Sequence, residues 1–116
     1  SLLDLHKLAI CCEKTGRREE ALRALTRAEA MDIDEIDREL ALRLLRLVRY
    51  RLEHPDYLTR NEYGTLLLDS FDRLRNELPL GYALFHLPWV LEWYKATRQY
   101  KKACDLLEAY FPEKPL

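Results

Sequence analysis

The chain has 116 residues, enough for one domain with a modest core, and its 48% apolar composition argues against disorder. Its 19 basic and 20 acidic residues leave a net charge of −1, which gives no whole-domain pull toward nucleic acid or an anionic membrane. Only 3 Gly and 5 Pro leave few turns for an all-β fold, and no apolar run of about 18 residues suits a bilayer span.

The first predicted helix runs from Leu2 to about Thr15, with Leu5, Leu8, Ala9 and Cys12 on one face at spacings of three and four. Gly16 reads as a left-handed stop, because only Gly takes that conformation without a Cβ penalty. A second helix follows over about 18–31, with Ala21, Leu22, Leu25 and Ala28 inward, and so short a turn makes the two antiparallel. Asp32 or Asp34 can cap a third helix over about 35–53, which His54-Pro55-Asp56 ends. Thr59 and Glu62 have the spacing of a capping box for a fourth helix over 60–77, with Leu67, Leu68, Phe71 and Leu74 inward. The fifth spans about 81–97, with Pro88 implying either a kink or a later start near Leu87. A sixth, about 99–110, ends before Pro112 and Pro115. The fold class is therefore all-α, with six helices in three antiparallel pairs (units of about 2–31, 34–77 and 80–111) in a single domain. The start at Ser1, without Met and directly into a helical pattern, sets the expectation of a segment from a longer protein.

The first and last pairs share a pattern. Leu5-x2-Leu8-Ala9-x2-Cys12 then Ala21-x3-Leu25-x2-Ala28 matches Leu87-x2-Val90-Leu91-x2-Tyr94 then Ala103-x3-Leu107-x2-Tyr110, at a common offset of 82 positions. The middle pair keeps Gly64-x3-Leu68-x2-Phe71. A small residue on the second helix of each pair lets its neighbour approach closely. On these residues the chain resembles the tetratricopeptide repeat family. Lys14-Thr15-Gly16-Arg17-Arg18-Glu19-Glu20-Ala21-Leu22 matches that family's turn and second-helix opening, and Thr97-Arg98-Gln99-Tyr100-Lys101-Lys102-Ala103 does so again, with Arg98 where Gly is usual. The middle unit departs from the family, because Gly64 lies 43 positions after Ala21 and 39 before Ala103, against a repeat of about 34. The resemblance implies an α-α superhelix whose concave surface, lined by the first helix of each pair, holds a peptide or protein. His6 and Ile10 occupy the positions where some members bind a C-terminal carboxylate through Lys and Asn, so that specialisation is not expected.

Two constellations are candidates for partner binding. Tyr82, Phe85, His86, Trp89 and Trp93 form an aromatic stripe at helical spacing, suited either to an apolar or peptide partner or to packing between the second and third units. Trp89, off the Leu87-Val90-Tyr94 set, is the expected exposed contact. Arg43, Arg46 and Tyr50 share an edge of the third helix, suited to carboxylates or phosphates, or else to a solvated face. His54 and His86 lack a nucleophile motif, and His6, Cys11 and Cys12 lack the spacing of a metal site, so no catalytic residue, metal or cofactor is expected. Three cysteines make no disulfide framework, and no signal peptide pattern occurs, which suits a reducing, cytoplasmic setting.

The functional expectation is a non-enzymatic protein- or peptide-binding module with no membrane or direct nucleic-acid contact. By fold type it is similar to the sensing or dimerising half of bacterial transcriptional regulators. The alternative is a self-associating homodimer without a separate ligand, using Leu2-Leu3 and Tyr110-Phe111 as surface.

Overall fold

The structure, a computed structural model, describes residues 2–31 and 38–112. Among them are six α-helices, one 3₁₀ turn and no strand: α1 (Leu2–Lys14), α2 (Arg18–Ala30), α3 (Arg38–Glu53), the turn Tyr57–Thr59, α4 (Asn61–Glu77), α5 (Leu80–Ala96) and α6 (Tyr100–Tyr110). The all-α, six-helix expectation holds. The expected caps at Asp32 and Asp34 and the predicted start of α3 at Glu35 fall outside the described residues.

The turns that close the first and last pairs are built alike. Gly16 has φ +75°, its N–H bonds the Glu13 carbonyl at 3.2 Å, and the Arg17 N–H bonds the Cys12 carbonyl at 2.8 Å. These are the two bonds of a Schellman stop, which satisfy carbonyls that the helix end would otherwise leave without partners. Eighty-two positions on, Arg98 has φ +59°, its N–H bonds Lys95 at 3.2 Å, and the Gln99 N–H bonds Tyr94 at 2.7 Å. The hydroxyls repeat as well. Thr15 donates to the carbonyls of Cys11 and Cys12, and Thr97 to those of Trp93 and Tyr94. The offset read from side-chain types thus extends to the backbone of the turns.

α3 packs on both α1 and α2, α4 on α3, α5 on α4 and α6 on α5. Two core clusters result. The first joins Leu2, Ala9, Ile10, Ala24, Leu25 and Ala28 to Ala41, Leu45 and Val48 of α3. In the second, Leu40, Leu44 and Leu47 on another edge of α3 meet Tyr63, Leu67, Phe71 and Leu74 of α4, with Ala83, Leu87, Val90 and Trp93 of α5. α3 is apolar on two edges because it is covered from two sides, and of its arginines Arg51 is buried within one of those edges.

Several local expectations are corrected. The expected capping box is absent: Thr59 ends the 3₁₀ turn, and its hydroxyl donates back to the Asp56 carbonyl at 2.7 Å instead of forward. The N-cap of α4 is Arg60, whose side chain makes no capping bond and instead donates to Asp56 Oδ1 at 3.1 Å. On α1 Ala9 and Cys12 are buried as expected and Leu5 is half-buried, but the buried edge also takes in Leu2, His6 and Ile10, while Leu8 is 47% exposed, because the sector that the neighbouring helices cover is rotated from the predicted one. Leu22 and Leu68 are only half-buried. α5 begins at Leu80 and runs through Pro88, which excludes the late start. The ring of Pro88 is exposed.

The small-residue positions behave as packing required at two of three sites. Ala21 is fully buried, and Gly64 lies directly under the Trp93 indole, where a methyl group would overlap the ring. Ala103 is half-buried.

Candidate interaction surface

The aromatic stripe of α5 lies against α1 and α3, and its members meet different environments. His86 and Trp93 are 2% and 6% exposed, so neither offers surface to a partner. Trp93 covers Gly64 and meets Tyr63 edge-on at 5.9 Å between centroids. His86 stacks flat on His6 of α1, with centroids 4.9 Å apart and planes 9° from parallel. Trp89, expected as the free contact, is half-buried and packs against both core clusters. The guanidinium of Arg51 lies 3.9 Å from its ring centroid. The correction has a simple origin: this edge of α5 closes over the chain's own charged side chains. Tyr82 and Phe85, half-buried nearer the start of α5, retain accessible surface.

Arg51 is the hub of that closure. It is 4% exposed, donates Nε and Nη2 to the two carboxylate oxygens of Glu13 at 2.8 and 3.0 Å, and donates Nη1 to the Tyr63 hydroxyl at 3.1 Å. Burial alone would lower the guanidinium, but the bonds and charges of Glu13 and Tyr63 outweigh it and raise it above its ordinary value. Burial raises the Tyr63 phenol against the opposing pull of Arg51. One side chain of α3 thereby links α1, α4 and α5. The sequence carried a signal for this: Arg51 continues the Leu40-Leu44-Leu47 phase, and a charge in an apolar register demands a buried partner.

The histidine pair is a second feature missed in the sequence. Burial holds His86 down at about 4, and burial, with the charges of His86 and Arg51 next, holds His6 well below the ordinary imidazole value. His86 Nδ1 lies 3.3 Å from the Tyr82 carbonyl, whereas His86 Nε2, both His6 nitrogens and Trp89 Nε1 are buried without a partner among the described residues. Nor do those residues gather three or more His, Cys, Asp or Glu side chains that could hold a metal ion.

At the open end of the α1/α5 seam, Lys7, Pro79, Gly81, Tyr82 and Phe85 line a groove of about 360 Å³. Lys7 Nζ stands 4.7 Å above the Tyr82 ring, and Lys14 Nζ lies 5.4 and 5.6 Å from the Phe85 and Trp89 centroids. No acidic residue lines this groove among the described residues. A cation held on an aromatic face keeps part of its charge available while its stem covers apolar surface.

The Arg43-Arg46-Tyr50 edge is not assembled into one anion site. Arg43 lies 3.8 Å from Glu39, and Tyr50 donates to Glu62 at 3.3 Å while stacking against Tyr63 and meeting the His54 ring at a tilt of 45°. Arg49, close by, is bound to Glu29 at 2.8 Å. Of this edge, Arg46 is exposed, and it forms no ion pair among the described residues.

A larger groove, about 650 Å³, runs along α6 between Cys104, Leu107, Glu108, Phe111 and Pro112. Tyr100, Leu107 and Phe111 are 58%, 41% and 60% exposed. At the other end of the chain Leu2 is fully buried, so it supplies no surface for self-association, and the side chain of Leu3 lies outside the described residues. No described helix is long and apolar enough to cross a membrane.

Comparison of the chain with protein-family models, curated proteins and solved structures gives no match.

Proposed function

We propose that the chain is a non-enzymatic interaction module of tetratricopeptide-like type, holding a peptide segment of a partner protein at the α1/α5 groove. The observation that carries this is the Lys7 ammonium over the Tyr82 ring at the mouth of a groove that no acidic residue lines among the described residues. Such a surface favours a segment with a carboxylate beside an apolar side chain: the ammonium meets the charge, and Tyr82 and Phe85 cover the apolar group. The buried histidines and Arg51 support the groove from behind by fixing α5 against α1 and α3. His6 and Ile10 are buried, consistent with a partner that does not present its terminal carboxylate there.

Selection of binders from a displayed random peptide library tests this reading. Enriched sequences should place Asp or Glu next to Leu, Ile or Phe. Lys7→Glu and Tyr82→Ala should each weaken them about tenfold or more, with the helical circular dichroism unchanged. Binders that ignore both substitutions, or a selection dominated by basic peptides, would remove the groove from the proposal.

Self-association is the second reading, and the exposed apolar residues of α6 favour it. A concentration-dependent dimer in sedimentation, dissociated by Leu107→Glu, is its expected signature.

A further inference from the structure

The exposed side of α6 carries three non-charged side chains in one helical row, Tyr100, Cys104 and Leu107, at spacings of four and three, and Phe111, the residue that caps the helix, borders the same groove beside Cys104 and Leu107. The inner side of the same helix is already used, with Leu106 buried and Tyr110 against Phe71. A helix apolar on two sides in an otherwise covered bundle has an unfilled partner position.

The internal repeat says what kind of partner fills it. At the offset of 82, the row and Phe111 correspond to Arg18, Leu22, Leu25 and Glu29 of α2. That row of α2 holds α3. Leu25 is fully buried in one cluster with Ala41, Leu45 and Val48, and Leu22 packs against the same cluster. Arg18 donates to the Leu52 carbonyl in the last turn of α3 at 3.2 Å, and the Glu29 carboxylate binds Arg49 at 2.8 Å. On α6 each tie has a chemical replacement. Tyr100 offers a hydroxyl donor where Arg18 offers a guanidinium, and the Phe111 ring offers a π face where Glu29 offers a carboxylate, both able to receive a cation. Leu107 stands in the place of Leu25.

We infer that the outer face of α6 is a docking site for one amphipathic helix of another polypeptide. That helix repeats the chemistry of α3: small and aliphatic side chains at i, i+4 and i+7, as in Ala41-Leu45-Val48, followed by an Arg for the Phe111 ring. The stretch from Tyr100 to Phe111 spans about 16 Å, so three turns of the incoming helix cover it. Glu108, on the rim of the groove, gives a basic residue on the flank of that helix a place to pair. This site is separate from the α1/α5 groove and does not depend on it.

Cys104 supplies the readout, being exposed within the row, while Cys12 is buried and Cys11 can be changed to Ser. The probe is a blocked synthetic peptide with the sequence of residues 38–53, titrated into the Cys11→Ser chain while alkylation of Cys104 is timed. Saturating peptide should slow alkylation by about tenfold. Leu107→Glu should abolish the protection without changing the helical circular dichroism, and Lys7→Glu should leave it intact. Absence of protection up to about 1 mM peptide overturns the inference. So does protection that survives Leu107→Glu. If alkylation slows on raising the protein concentration without peptide, the occupant is a second copy, and the inference fails in favour of self-association.

Discussion

Arg98 holds φ +59° at the turn before α6, a conformation that its Cβ disfavours and that Gly16 takes freely at the matching turn. Arg98→Gly should therefore stabilise the chain by about 1 kcal/mol in a urea melt, the relief of Cβ strain exceeding the added freedom of the unfolded chain. The bidentate Glu13–Arg51 pair sets a larger effect. Glu13→Ala would leave the guanidinium buried with only Tyr63 as acceptor, and should lower stability by about 3 kcal/mol or more. His6 and His86 set the pH dependence. Their folded values lie below the ordinary 6.5, so the unfolded chain binds the extra protons as acid is added. The stability they contribute is fully present above about pH 6.5 and is lost as pH falls through their lowered folded values; for His86 that loss runs toward about pH 4 and amounts to about 3 kcal/mol. Melts between about pH 7 and pH 5, above most carboxylate titration, should show this slope in the native chain and a flatter one in His6→Leu/His86→Leu. At this scale the turns were legible, because a left-handed stop demands Gly or an expensive substitute in a fixed place. The histidine stack was not, since residues 80 positions apart meet only once three helices have packed.

At the scale of the element, the approach of α4 to α5 depends on the bare Cα of Gly64 under Trp93. Gly64→Ala gains helix propensity yet must displace an indole, and the overlap dominates: a net loss of about 2 kcal/mol is expected by thermal melt. Gly81→Ala, with open space around it, should be neutral or mildly stabilising and serves as the control. Trp89→Ala should now act on folding, because the ring fills the space between two clusters beneath Arg51, and a destabilisation of about 2 kcal/mol or more is expected. Helix boundaries in the sequence came within a residue or two where Pro or Gly punctuates them, as at Gly16, Leu78-Pro79 and Pro112. Faces were read less well. A period of 3.6 gives the phase of an apolar edge, but not how many neighbours will cover it, which is why Leu8 was placed inside and the burial of Arg51 was not foreseen. The binding stripe suffered the same ambiguity: a row of aromatics at helical spacing is identical in sequence whether it faces a partner or the chain's own α1.

Across the whole molecule, which extends 48 × 31 × 24 Å, each helix pair leans on the next, and α3 is covered from both sides while α6 is covered from one. Helices that touch mainly their neighbours in the chain gain stability from those contacts, so the end with fewest neighbours is the loosest. The repeat in the sequence carried this asymmetry, for Leu25 and Leu107 occupy equivalent positions, one fully buried and the other 41% exposed. Native-state hydrogen exchange reads that difference along the chain. The amides of α3 and α4 should exchange slowest, near the rate set by global unfolding, and those of α6 fastest among the helices, slowing selectively when the peptide of residues 38–53 is added. Protection of α6 equal to that of α3 in the isolated monomer, unchanged by the peptide, would contradict the picture of a stack with one open end.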